Sequence, residues 1–247
     1  MIGALLVVLV VLCLVPAFLG HSSQTSPKLT KRASDDEDAT SAEVIAISDE
    51  ADRRKDGTAP IAFEPKTAYG KAYKDYFNKG SQSLRTYDEQ TRGLMGFNEM
   101  VEAKTLGTPR AIDVAARDEA KFASAEIRLA QTGLDDIRTL KSAYVAQFVG
   151  PNDYEQDDVK DWTKGELASS SRLAATQRFF ESLSGLIQFS RLNNLSWDEA
   201  RHKLKYPSSE VKSEFLDRFD KLNLAGDEMN RAKAAVRAWW KSPLPGR

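Results

Sequence analysis

Residues 69–77, YGKAYKDYF, place four aromatic side chains at spacings of four and three residues. Residues at these spacings share one face of an α-helix, so the stretch predicts a helix with an aromatic stripe. The same period continues toward the C-terminus in segments 109–133, 134–148, 167–192, 211–226 and 229–240. No stretch shows the convincing alternation of a β-strand. The sequence therefore predicts an all-α fold, an irregular helical bundle over residues 65–247.

Turn and capping residues predict where several of these helices end. Gly133 is expected to close the helix over residues 109–133, and Gly226 is expected to close a later one. Ser196 fits a capping box with Glu199, three residues further on. This pattern predicts a short helix that continues through Leu204.

The first twenty residues, Met1 to Gly20, form an apolar leader, in which Ile2 to Leu14 is unbroken by any polar side chain. An apolar core of about 13 residues suits a cleaved secretory signal better than a bilayer span of roughly 20 residues. The alternative is a retained anchor, because Ile2 to Gly20 can span a slightly thinned bilayer, with the basic residues after it in the cytoplasm. A buried core helix fits less well, because the run has no polar face.

Residues 21–64 are predicted to be a disordered linker or pro-segment. The segment is rich in Ser, Thr, Asp and Glu, so it buries too little apolar surface to offset the entropy of ordering. Lys31-Arg32 is the kind of dibasic pair that kexin-type secretory proteases cleave. The predicted organisation is thus a signal peptide or anchor at 1–20, a linker at 21–64 and a helical domain at 65–247.

Charge and cysteine content exclude several classes of function. The 247 residues carry a formal net charge of −1, which gives no reason to expect nucleic acid as a partner. Cys13, the single cysteine, lies in the leader. A processed chain would therefore have no thiol for a disulfide, a zinc site or nucleophilic catalysis.

Few side chains suit catalysis. His202 is the single histidine after the leader junction, and its charged neighbours are typical of an exposed side chain. Asp135-Asp136 and Asp157-Asp158 leave a carboxylate-based hydrolase as a minor hypothesis, although adjacent residues do not share a helical face. There is no glycine-rich phosphate loop and no zinc-ligand spacing. The sequence predicts a protein that is not an enzyme and that holds no cofactor or metal.

Two further features are candidates for modification or contact. Asn194-Leu195-Ser196 matches the N-glycosylation acceptor pattern and lies between predicted helices. Trp239 and Trp240 are adjacent, so one is expected to be buried and the other to lie at the rim of the core. An uncovered tryptophan there would be an aromatic anchor for a partner protein, and a membrane-surface helix is the lesser alternative.

A resemblance to a known family lies in the predicted helix that follows the aromatic stripe. Gln82-Ser83-Leu84-Arg85, followed by Asp88-Glu89-Gln90, resembles the Arg-x-Leu-Arg and Asp-Glu-Glu-Arg signature of RxLR effectors, which oomycetes secrete. Gln82 stands where the family has its first arginine, and Arg92 would have to replace the final arginine of the acidic motif. The order of signal, polar tether and cysteine-free helical domain is also similar to that class.

A second similarity lies nearer the C-terminus, between Leu195 and Leu222. This segment resembles the Trp/Tyr helical module of many such effectors, in the spacing of Trp197, Leu204, Tyr206, Phe215 and Phe219.

The resemblance implies a secreted, non-enzymatic effector that is delivered into the cytoplasm or nucleus of a host plant cell. There it would bind a host protein and suppress host immunity. A fungal effector processed at Lys31-Arg32 is compatible with the same features. The leader leaves one alternative, a single-pass membrane-anchored helical scaffold that faces the cytoplasm, and a membrane is expected as a partner only in that case.

Overall fold

The computed structural model describes residues 35–53, 59–148 and 153–241. Within these ranges the all-α class is confirmed, with seven helices and one short antiparallel hairpin. Their order is α1 Asp35–Arg53, α2 Ala68–Thr91, α3 Phe97–Met100, α4 Ala103–Leu106, α5 Pro109–Phe148, α6 Asp153–Leu192, β1 Ser196–Asp198, β2 Lys203–Lys205 and α7 Ser209–Lys241. None of these helices has an apolar stretch long enough to cross a membrane.

The chain divides into two compact units, and the four longest helices each contribute residues to both. The described part of unit 1 consists of residues 87–130 and 171–234. The described part of unit 2 consists of residues 35–53, 59–86, 131–148, 153–170 and 235–241.

Unit 1 has a core of phenylalanine and aliphatic side chains. The ring of Phe97 lies 4.6 Å from that of Phe122, 5.8 Å from Phe179 and 5.7 Å from Phe180. The aliphatic part of this core includes Leu106, Ile112, Leu183, Leu186, Ile187, Leu195, Leu204 and Leu222. Burial of this apolar surface is the main stabilising contribution to the unit.

Unit 2 has an aromatic core. The buried ring of Tyr69 lies 5.8 Å from Tyr144 and 6.3 Å from Trp162. Tyr73, on the next turn of α2, is also buried. The stripe predicted at residues 69–77 thus faces a core in which each edge-to-face pair contributes about 0.5–1.5 kcal/mol beyond burial.

The structure corrects the predicted linker in the part that it describes. Asp35–Arg53 is helix α1 rather than disordered chain, and Val44 and Ile47 are buried in the core of unit 2. These two residues lie three apart, so they share a helical face. The sequence did not predict this apolar face, because the segment is polar in composition and its two apolar side chains pack in a core whose other residues are distant in the sequence. Residues 21–34, with Lys31 and Arg32, lie outside the described ranges.

Two glutamates of α1 hold the extended segment that leads into α2. Glu43 accepts hydrogen bonds from the backbone N of Lys66 at 2.6 Å, and from the backbone N and Oγ1 of Thr67 at 3.2 and 2.5 Å. Glu50 accepts bonds from the backbone N–H groups of residues 62–63 at 2.6 and 2.9 Å. The two carboxylates thereby accept hydrogen bonds from backbone N–H groups that have no acceptor within a helix or sheet.

Two glycines that were predicted to close helices lie inside them. Helices α5 and α7 continue through Gly133 and Gly226. A glycine inside a helix lowers helix stability by only about 1 kcal/mol relative to alanine. Burial of apolar side chains in the following turns can outweigh this loss. Leu134 and Ile137, directly after Gly133, are buried and supply that packing in unit 2.

Candidate functional site

The motif that carries the family resemblance lies within α2. Gln82, Arg85, Asp88 and Glu89 are exposed, and Ser83 and Leu84 are half-buried. Asp88 Oδ2 pairs with Arg92 Nη2 at 3.1 Å, one helical turn later. Any protein that recognises this motif in the folded chain would therefore meet a helix surface and not an extended peptide.

The glycosylation candidate lies on the surface. Asn194 is exposed in the turn that follows α6, and its φ of 51° places it in the left-handed region. Asparagine tolerates this region better than most residues. The side chain is accessible to a glycan in the folded chain, and its modification stays a prediction.

The two adjacent tryptophans both pack within unit 2. Trp239 is buried, its indole N–H donates to the carbonyl O of Asp161 at 2.9 Å, and its ring lies 5.5 Å from Trp162. Trp240 is half-buried and stacks on Tyr76 at 5.0 Å. One ring is buried and its neighbour is partly covered, as predicted from their adjacency. Trp239 in this conformation offers no face to a partner protein, because its ring and its N–H are both used inside the unit.

The acidic side chains that the structure describes, those of Asp135, Asp136 and Asp158, lie in unlike surroundings, and the side chain of Asp157 is outside the described part. Asp135 is exposed, whereas Asp136 is buried, and that burial raises its pKa to about 6 despite the opposing charge of Lys79. Asp158 accepts a hydrogen bond from the Tyr144 hydroxyl at 2.6 Å. The carboxyls of Asp135 and Asp136 thus do not form a matched pair of the kind that glycoside hydrolysis requires.

No metal site is found in the described ranges. They contain no group of three or more His, Cys, Asp or Glu side chains placed to hold a metal ion. An open cleft of about 210 Å³ in unit 1 is lined by Glu181, Ser182, Gly185, Glu214, Asp217, Arg218 and Lys221. Arg218 in this cleft is already engaged, because it donates twice to Glu214 Oε1, at 3.1 and 2.7 Å, and lies over the Phe189 ring.

A buried charged cluster in unit 1 joins three helices. Glu126 Oε1 accepts a hydrogen bond from the Tyr87 hydroxyl at 3.0 Å and pairs with Lys233 Nζ at 3.4 Å. Burial, and next the charge of Glu126, raise the pKa of Tyr87 well above its usual range. These side chains are buried or half-buried, so the cluster connects α2, α5 and α7 inside the unit.

The hairpin β1–β2 is the most distinctive surface feature of unit 1. Trp197 lies opposite Leu204, and Asp198 lies opposite Lys203. Residues 199–202 connect the strands, and His202 has a φ of 47°, in the left-handed region. The prediction of a short helix from Ser196 through Leu204 is therefore wrong. Ser196 begins strand β1 and does not cap a helix.

The hairpin is seated directly against Gly107, which follows α4. The backbone N of Trp197 donates to the carbonyl O of Gly107 at 2.9 Å. A Cβ atom at Gly107 would lie 2.7 Å from Leu204 Cδ1 and 2.7 Å from Trp197 N, closer than real Cβ contacts allow. Since Leu204 is also buried in the core of unit 1, backbone and side chain together fix the position of the hairpin.

Five side chains of the hairpin, Trp197, Arg201, His202, Lys203 and Lys205, are together called the hairpin surface. Trp197 is half-buried and the other four are exposed. The Trp197 ring meets the His202 ring edge-on at 6.2 Å, and its indole N–H donates to Glu199. Tryptophan and arginine are both enriched at the energetic centres of protein interfaces.

The carboxylates of the hairpin are used within unit 1. Asp198 pairs with Lys205 Nζ at 3.1 Å and accepts the backbone N–H of Arg201. Glu199 pairs with Lys104 Nζ at 3.1 Å. These hydrogen bonds hold the pKa values of Asp198 and Glu199 below their usual range. Both groups therefore remain ionised partners of local cations at neutral pH.

The aromatic module suggested by the resemblance is partly helical. Tyr206 packs on Phe215 at 5.4 Å, and Phe215 packs on Phe219 at 6.2 Å. Trp197, in contrast, stands on β1 and not on a helix. The sequence does contain a signal for the hairpin surface, because basic residues alternate at Arg201, Lys203 and Lys205. Strands of three residues are too short for this alternation to predict a strand.

Comparison with known proteins gives no match, neither to a family model, nor to a curated protein, nor to a solved structure.

Proposed function

We propose that this chain is exported and acts in a host as a non-enzymatic effector that binds a host protein and suppresses host immunity. The hairpin surface is the observation that carries the binding part of this proposal. It combines a fixed, half-exposed Trp197 with exposed Arg201 and His202 on unit 1. The apolar leader at Met1 to Gly20 and the resemblance at Gln82–Arg85 support export and a role in a host.

The proposed mechanism is occupancy of a partner's surface, with no covalent chemistry. Tryptophan and arginine contribute more binding energy at interfaces than most residues, and a surface that is ordered before binding loses less entropy. Gly107 and Leu204 supply that order, since they hold both strands of the hairpin against unit 1.

An assay of immune suppression in host leaf tissue tests this proposal. The wild-type chain is expected to reduce the host response, and Trp197→Ala is expected to lose most of this effect. Leu224→Ala is the matched control, because it removes another large and exposed apolar side chain of unit 1 and should leave the effect unchanged. Equal suppression by the wild-type chain and Trp197→Ala would contradict the proposed role of the hairpin surface.

The alternative function is a single-pass membrane-anchored helical scaffold that faces the cytoplasm, since Ile2 to Gly20 can span a slightly thinned bilayer. Carbonate extraction of producing cells separates the two proposals. An exported protein is expected in the medium, with an N-terminus near Phe18, His21 or Ala33. Protein that retains Met1 and stays in the carbonate-resistant membrane pellet would favour the anchored scaffold.

A further inference from the structure

We infer that the hairpin surface binds an acidic segment of its partner protein, whose carboxylates contact Arg201 and Lys203. This inference rests on the proposed function, because it names the chemistry of the partner at the same surface.

The hairpin carries more cations than its own carboxylates neutralise. Asp198 pairs with Lys205, and Glu199 pairs with Lys104, which lies outside the hairpin. Among the described residues, no ion pair involves the side chains of Arg201 or Lys203, and both are exposed. Two positive charges are thus presented together, on a chain whose net charge is −1.

The hairpin also carries an aromatic ring. Trp197 is held edge-on to His202, which lies between Arg201 and Lys203 in the sequence. A guanidinium binds a carboxylate through two parallel N–H groups, so Arg201 is suited to an aspartate or glutamate. The complementary partner is therefore an acidic segment.

A protein segment fits this surface better than a nucleic acid or an anionic membrane. Proteins that bind a phosphate backbone typically neutralise about 6–10 phosphates, whereas the hairpin surface offers two uncompensated cations. Interfaces between proteins commonly combine aromatic residues, arginine and a polar rim.

Fluorescence anisotropy with the full chain and labelled peptides of equal length tests the inference. The three peptides alternate leucine with glutamate, with glutamine or with lysine. The glutamate peptide is expected to bind, with an affinity that falls as salt is added, because exposed charges are screened. Equal binding of the glutamate and glutamine peptides would overturn the inference, as would tighter binding of a single-stranded oligonucleotide or of anionic vesicles.

Two double variants with the same change in net charge assign this binding to the hairpin. Arg201→Glu/Lys203→Glu is expected to weaken binding of the glutamate peptide by at least about tenfold. Lys212→Glu/Arg231→Glu reverses two exposed cations of α7 and is expected to change the affinity for the glutamate peptide by less than about twofold. Equal weakening by both variants would overturn the inference, and circular dichroism confirms that both remain helical.

The outcome also separates this inference from the proposed function. If Trp197→Ala abolishes immune suppression while the glutamate peptide does not bind, the hairpin surface is a binding site for a partner of other chemistry. In that case the acidic-segment inference fails and the proposed function stands. If the peptide binds at the hairpin but Trp197→Ala leaves suppression intact, the role of this surface in the proposed function fails instead.

Discussion

Replacement of Glu43 by alanine tests how α1 is held in unit 2. Glu43 is buried and accepts three hydrogen bonds, from the backbone N of Lys66 and from the backbone N and Oγ1 of Thr67. A hydrogen bond to a charged group contributes about 1.5–3 kcal/mol, and loss of a helix cap costs about 1 kcal/mol. The three bonds do not add fully, because Lys66 is exposed and its amide regains water. We expect Glu43→Ala to lower the free energy of unfolding by about 2–4 kcal/mol.

Urea unfolding of the full chain, followed by far-ultraviolet circular dichroism, measures this loss. Glu89→Ala is the matched control, because Glu89 is exposed on α2, and it should change the free energy of unfolding by less than about 0.5 kcal/mol. Glu50→Ala removes two hydrogen bonds at a half-buried position, so an intermediate loss is expected. If Glu43→Ala unfolds within about 0.5 kcal/mol of wild type, the role of this carboxylate in holding the segment before α2 is refuted.

Three further predictions concern packing, pH and modification. Gly165→Ala would place a Cβ 2.3 Å from the Trp239 ring, so we expect it to destabilise the chain by about 1–3 kcal/mol in thermal unfolding. Gly80→Ala is the control, because a Cβ there has no neighbour within 4 Å, and it should be neutral or slightly stabilising. Burial raises the pKa of Glu119 to about 6, so the wild type loses stability as pH rises from about 4.5 to 6. Glu119→Gln should therefore be more stable than wild type by about 1–2 kcal/mol at pH 7 and equal to it below pH 4, and equal urea midpoints at pH 7 would contradict this. Asn194→Gln should remove one glycan from protein exported by a eukaryotic cell, and an unchanged mass would refute modification at this site.

Much of the fold could be predicted from local periodicity. The stripe at Tyr69 and Tyr73 needs only residues within one helix, and the structure buries both rings. Helix α1 could not be predicted in this way. Its polar sequence gains order from Glu43 and Thr40, whose partners lie 23 to 107 residues away in the chain. Such contacts leave no period in the local sequence.

The candidate site was harder to predict because two local patterns compete there. Ser196 and Glu199 have the spacing of a capping box, which favours a helix. The hairpin forms instead, with Gly107 allowing the close approach of Trp197 and Leu204. Gly107 lies about ninety residues earlier in the chain, so sequence spacing alone could not indicate this contact.

Quantitative recovery of partner proteins tests the central claim most directly. The wild-type chain, its Trp197→Ala variant and the Leu224→Ala control are each immobilised in equal amounts and incubated with host-cell extract. The account predicts at least one host protein that is recovered equally by wild type and Leu224→Ala but is reduced at least about tenfold by Trp197→Ala. If every recovered protein is retained equally by all three chains, the hairpin surface is not where this protein binds its partner.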